Sequence, residues 1–166
     1  MNLSFSIATP ADAPALAALH TSVAEDLTRR HGQGFWSTKT SEKGALLGIR
    51  TTRVIVARNG KTIVGTLRLQ TKKPWAIDVS YFTRVEKAIY LTSMAVVPSM
   101  QRHGIGRSLL KEAKKQVEAW PAGAIRLDAF DTDAGAGEFY AKCGFCEKGR
   151  VVYRKNPLIY FELVVL

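Results

Sequence analysis

At 166 residues the chain has the length of one domain and enough of it to bury a core, and its 46% hydrophobic and 23% charged residues are a globular composition. No apolar run reaches the ~18 residues of a membrane span, and the start MNLSFSIATPADAP has no basic segment leading into an apolar one, so a cytoplasmic protein without membrane contact is expected. The net charge of +10 favours anionic partners, but the basic residues are scattered in pairs such as Arg29-Arg30, Lys72-Lys73 and Lys114-Lys115, with no run interleaved with aromatics; nucleic acid is not the expected partner.

Taken in chain order, Leu3–Ile7 (LSFSI) alternates and is expected to be a strand. Thr9, Pro10 and Asp12 mark a helix start, with Leu16, Leu19, His20 and Val23 on its apolar side, and a second short helix is expected over Ala24–Arg30, before His31-Gly32-Gln33-Gly34. After Phe35 and Trp36 a further helix is expected from Glu42 to Ile49. Val54–Ala57 and Thr62–Leu69 flank Asn59-Gly60, the pattern of a hairpin whose two turn residues both take positive φ, and Gly65 marks a bulge. Lys72–Glu86 reads as an irregular connection carrying Trp75, Tyr81 and Phe82. Ile89–Val97 is continuously apolar and so is expected at the centre of the sheet.

The stretch that follows, Gln101-Arg102-His103-Gly104-Ile105-Gly106, joins this strand to a one-sided helix, Ile105–Ala119, with Ile105, Leu109, Ala113 and Val117 on its buried face. A helix start exposes unpaired N–H groups and partial positive charge; glycines allow close approach, and Arg102 and Arg107 add full charges. A phosphate-bearing ligand is the expectation. Beyond Pro121-Ala122-Gly123, a strand (Ile125–Phe130), a helix (Ala134–Lys142, ended by Gly144) and two strands (Val151–Arg154 and Leu158–Leu166) around Lys155-Asn156-Pro157 complete the order. This is a mixed α/β (α+β) pattern, read as one domain over residues 1–166. Cys143 and Cys146 form a C-x-x-C, read as two reduced, partly buried thiols: a zinc site needs two further ligands, His20, His31 and His103 are scattered, and the motif stands at a helix end rather than a helix start, so no metal is expected.

YLTSMAVVP followed by QRHGIG resembles the acetyl-CoA signature of the GNAT superfamily of N-acetyltransferases, a central strand then Q/R-x-x-G-x-G/A, and IRLDAF…AGEFYAKCGF resembles that family's next block, a strand then a helix with F/Y-Y ending in G-F. The element order resembles the family's along nearly the whole chain. The resemblance implies a central mixed sheet of about seven strands with helices on both faces, and an acetyl-CoA-dependent transfer to an amine by direct attack on the thioester, with CoA as product. It implies that the backbone of Met94, Ala95 and Val96 pairs with the pantetheine arm and that an amide near Met94 polarises the thioester carbonyl. The amides from Gln101 through Arg102, His103, Gly104, Ile105, Gly106 and Arg107 to Ser108 would cradle the pyrophosphate, and Tyr140 would assist the leaving thiolate, a phenol of pKa ~10 serving a thiol of ~8.5. Asp133 stands where the family commonly has a cofactor-contacting Asn; lacking amide donors, it reads better as a cap for the helix from Ala134. Glu86 and Ser93 are candidates for handling the amine's proton, Glu25 and Asp26 weaker ones. Phe35, Trp36, Trp75, Tyr81, Phe82 and Tyr160 would wall the acceptor pocket, which fits a small amine or an amino-acid-like acceptor better than a polycation; they could instead fill the core or a dimer interface. A non-catalytic acyl-CoA-binding module and a peptide or protein N-acetyltransferase are the alternatives. Dimerisation through the C-terminal strands is left open.

Overall fold

In this computed structural model the chain forms β1 (Leu3–Ile7), α1 (Ala13–His31), α2 (Glu42–Thr51), β2 (Arg53–Asn59), β3 (Thr62–Gln70), β4 (Ala88–Val96), α3 (Ile105–Ala119), β5 (Ala124–Phe130), α4 (Gly137–Lys142), β6 (Cys146–Tyr153) and β7 (Asn156–Val164). Residues 1–165 are described; Leu166, expected in the last strand, lies outside them. The seven strands make a mixed sheet in the order β1-β2-β3-β4-β5-β7-β6, the class read from the sequence. The chain divides into two compact units, Met1–Leu69 with Thr92–Ala113, and Gln70–Leu91 with the residues from Lys114 onward.

In the first unit α1 is one helix of 19 residues, not the two expected. The polar residues that break its apolar pattern satisfy themselves on the preceding turn: the Ser22 hydroxyl donates to Leu19 O (2.7 Å) and that of Thr28 to Ala24 O (2.7 Å). Leu16 and Leu19 of α1, Ala45 of α2, Val54 and Val56 of β2, Ile63 of β3 and Ala95 of β4 share one buried cluster. The hairpin turn is Gly60-Lys61, one residue later than expected, because Asn59 still pairs with Thr62. Gly60 takes a φ of 62° and Lys61 is not left-handed, so one central residue rather than two carries positive φ. The expected bulge is present beside Gly65: Ala57 pairs with Gly65 and Arg58 with Ile63, leaving Val64 extra. A Cβ on Gly65 would stand 2.9 Å from Leu109 and 3.0 Å from Ile105, so the missing side chain is what lets α3 lie close on β3.

In the second unit β4 begins parallel to β5, Ala88–Tyr90 beside Ala124–Arg126, and β5, β7 and β6 continue antiparallel. Strand β6 starts at Cys146, five residues earlier than expected, and the β6–β7 turn is Arg154-Lys155, not Lys155-Asn156-Pro157; both of its residues are left-handed, with φ of 48° and 66°. Pro157 lies inside β7, opposite Val152. Beneath the sheet, Ile77, Phe82, Tyr90 and Tyr160 form a second buried cluster. Next to it, buried Arg126 donates from Nε to Glu162 Oε2 (3.0 Å) and from Nη2 to Thr83 O (2.6 Å), while Thr83 N–H donates to Glu162 Oε1 (3.2 Å).

Candidate active site

The turn between β4 and α3 is built from its own polar groups. Gln101 donates from its side-chain amide to Val96 O (3.0 Å), closing the end of β4, and His103 Nδ1 bonds Gln101 O (2.9 Å). Arg102 and Gly104 are left-handed, with φ of 65° and 85°. The first helical bond of α3 runs from Ser108 N–H to Gly104 O (3.0 Å), so the amides of Ile105, Gly106 and Arg107 come before the helical ladder begins. Glycine at this capping position offers no side-chain oxygen to them, and the first turn carries no acidic residue. Nothing stands within 4 Å of the position a Gly104 Cβ would take, so the approach is open. Arg102, His103 and Arg107 are exposed around it. Three uncommitted amides at a positive helix end, with the exposed arginines Arg102 and Arg107 in the same turn of chain, fit a pyrophosphate. The side chain of Ile105 is buried against β3, so only its backbone can serve such a ligand.

Within β4, Ser93 is exposed and takes a φ of 51°, a left-handed residue in the middle of a strand. It turns the backbone just ahead of Met94, Ala95 and Val96. Ala95 points its methyl into the α1–α2 core, so this segment too can offer a ligand its backbone rather than that side chain.

In the second unit Tyr140 is buried on α4 among Phe139, Phe145 and Phe161, at ring-centre distances of 5.3, 5.7 and 6.0 Å. Burial, with the charges of Asp128 and Cys143, raises its pKa above the ordinary 10.0, so the phenol keeps its proton through the neutral range. The sequence reading passed over Asp128, a β5 residue opposite Tyr160; burial raises its pKa too, which makes it a stronger base than a surface aspartate. The only signal it gave was a carboxylate within an apolar strand.

Asp133 does not cap α4. Thr132–Gly135 folds into a turn closed by Gly135 N–H to Thr132 O (2.9 Å), and the helix starts later, at Gly137, with Ala136 at its cap. The turn folds tightly over Phe130: a Cβ on Gly135 would collide with the Phe130 carbonyl. Of the expected pocket walls, Phe82 and Tyr160 belong to the buried core, Arg126 lying over the Phe82 ring. Tyr81 lies edge-on to Tyr160 (5.4 Å) and covers Gly149. Trp36 is tied to Gly32 O by its indole N–H (2.9 Å), whereas Phe35 and Trp75 are exposed, Trp75 to 84%. Glu86 is exposed ahead of β4; Glu25 pairs with Lys39, and Asp26 with Arg29 and Arg30. Cys146 is exposed rather than half-buried, and Cys143 and Cys146 are free thiols. Among the described residues no helix is long and apolar enough to cross a membrane.

The sequence profile of the Acetyltransferase (GNAT) family matches residues 18–145. No curated protein matches the chain by sequence. Among solved structures, the PaiA N-acetyltransferase of Thermoplasma acidophilum, in complex with coenzyme A, is similar at a TM-score of 0.76 and 16% identity over 96% of this chain and 98% of its own. YncA of Salmonella typhimurium, solved with its cofactor acetyl-CoA, gives 0.73 and 15% over 99% and 94%. A ribosomal-protein-alanine N-acetyltransferase of Brucella melitensis gives 0.74 and 20% over 97% and 99%. With the profile covering most of the chain, from α1 through the glycine turn to the end of α4, the protein belongs to the GNAT acetyltransferase family.

Proposed function

We propose that the chain acetylates the primary amine of a small or amino-acid-like acceptor. Its family makes it an acetyl-CoA-dependent N-acetyltransferase, and the observation that carries the donor side is the glycine-capped start of α3, whose amides the chain leaves to a ligand. In this reading Gln101–Ser108 hold the pyrophosphate, with Arg102 and Arg107 against its oxygens and His103 beside them, and the backbone of Met94, Ala95 and Val96 aligns the pantetheine arm behind the Ser93 turn. When bound, acetyl-CoA supplies the activated acetyl group. An N–H near Met94 polarises its carbonyl. Tyr140, kept neutral by burial, donates its hydroxyl hydrogen toward the departing sulfur. Asp128, a carboxylate made more basic by burial, is better suited to the amine's proton than exposed Glu86 or Ser93.

A chain of net charge +10 repels polycations, and exposed Phe35 and Trp75 offer apolar contact. The test is thiol release from acetyl-CoA across simple primary amines, α-amino acids, polyamines, aminoglycosides and peptides with free N-termini. Highest kcat/KM for small amines or amino acids is expected. A strong preference for polycations would overturn this reading, and preference for peptides would replace it with peptide N-acetylation.

A further inference from the structure

Strand pairing in the first unit brings together three residues that are far apart in sequence: His20 of α1, Gly48 of α2 and Arg68 of β3. Arg68 pairs with Val54 across the hairpin and so shares the face that Val54 turns toward α1 and α2. Its guanidinium lies flat against α2. A Cβ on Gly48 would stand 2.5 Å from Arg68 Cζ, 2.7 Å from Nη2 and 2.8 Å from Nε, so a glycine at this point of the helix is what makes room for it. The group is half-buried, and among the described residues no carboxylate pairs with it and no hydrogen bond satisfies it. The carbonyls of the adjacent helix turn are already engaged: Gly48 O accepts from both the N–H and the hydroxyl of Thr52, and Leu47 O from the Thr51 hydroxyl. His20, which feels the charge of Arg68, is held neutral, its pKa pushed down to about 4 by burial and by that charge. Arg58, half-buried in the same unit, is by contrast paired, bonding Asp12 at 2.9 Å. An arginine partly removed from water with its five donors unused is costly unless an anion completes it.

Its position says which anion. Val97 N–H donates to Val64 O (2.9 Å), which fixes the end of β4 beside the start of β3. Four residues on along β3 is Arg68; four residues back along β4 is Ser93, where the strand turns ahead of Met94. The backbone of Arg68 therefore lies toward the Ser93 end of β4, on the side of the stretch proposed to carry the acetyl end of the donor and away from the pyrophosphate turn.

We propose that Arg68, seated on Gly48 and flanked by His20, binds the carboxylate of the acceptor, so that the acceptor is an amine that also carries a carboxylate, such as an α-amino acid. The proposal rests on the acetyltransferase reading above and deepens it. A guanidinium takes a carboxylate through two parallel N–H···O bonds, and the charge-assisted pair fixes the acceptor's orientation as well as its affinity.

The experiment compares α-amino acids with their decarboxylated amines, in the wild type and in Arg68→Gln and Arg68→Lys. The wild type should favour the amino acid by at least about tenfold in kcat/KM. Arg68→Gln should erase that preference by lowering kcat/KM for the amino acid alone, and Arg68→Lys should restore part of it. The melting temperature of Arg68→Gln should stay level or rise, because the substitution removes a half-buried charge that has no partner; a structural arginine would instead lower it. Equal turnover of both acceptor types by the wild type, or an equal loss on both in Arg68→Gln, overturns the proposal. Amino-acid binding is also read directly, as a shift in melting temperature at millimolar amino acid that Arg68→Gln abolishes. If acetyl-CoA stabilises the wild type and no carboxylate-bearing amine does, the carboxylate site is wrong and the donor site stands; if acetyl-CoA fails to stabilise it, the enzyme reading fails first.

Discussion

Tyr140→Phe is expected to lower kcat by about 10²- to 10⁴-fold, the usual contribution of a positioned general acid, while the stabilisation by acetyl-CoA survives. The substitution removes one hydroxyl from a side chain already packed among Phe139, Phe145 and Phe161, so the apolar contacts persist. Because burial, Asp128 and Cys143 hold the phenol's pKa above its ordinary 10.0, the neutral donor form is present at every pH below that value, and kcat should show no alkaline limb from Tyr140 within the neutral range. Initial rates from pH 6 to 9.5, with cofactor affinity measured in parallel, check both parts. Unchanged kcat in Tyr140→Phe would leave the tyrosine a core aromatic and nothing more.

Glu162→Gln should be the most damaging of the conservative substitutions to stability. Glu162 is 2% exposed and receives Arg126 Nε at 3.0 Å and Thr83 N–H at 3.2 Å, while Arg126 reaches on to Thr83 O. Neutralising the acid strands a buried guanidinium, at a cost of about 3–5 kcal/mol, or a fall of roughly 10 °C in melting temperature for a chain of this size. The double variant Arg126→Met/Glu162→Gln should be less unstable than the single one, because the stranded charge is gone; additive losses in that cycle would contradict the account. The pair ties β5, β7 and Thr83 together just before β4 begins, so its loss should also loosen the approach to that strand.

The elements of the proposed donor side were legible in the sequence because they are contiguous. Strand, glycine turn and helix start fall within Tyr90–Leu110, and glycine at the cap with no acid in the first turn is a local statement. Where the reading failed, a local cue was overridden by something the sequence does not display. Two helices were expected where α1 runs unbroken, and within it Ser22 and Thr28 bond back to their own helix. Asn156-Pro157 looked like a turn, yet Arg154 and Lys155 take the left-handed conformation and the proline enters β7. Asp133 looked like a cap, but the close passage of Gly135 over Phe130 delays the helix. Phe82 and Tyr160 looked like pocket walls because aromatic residues in an irregular connection and near a chain end carry no sign of which way they face. Arg68 could not have been singled out at all: its meaning depends on Gly48, His20 and the absence of an acid, and strand pairing alone assembles these.

Thermal unfolding with and without acetyl-CoA tests the central claim, that the amides at the start of α3 hold the donor. A ligand at 100 times its Kd stabilises the native state by about 2.7 kcal/mol, roughly 5–10 °C here. That rise is expected for the wild type and should vanish in Gly104→Asp, whose carboxylate sets a negative charge against those amides. No rise at millimolar acetyl-CoA, or an equal rise in both proteins, would contradict the account.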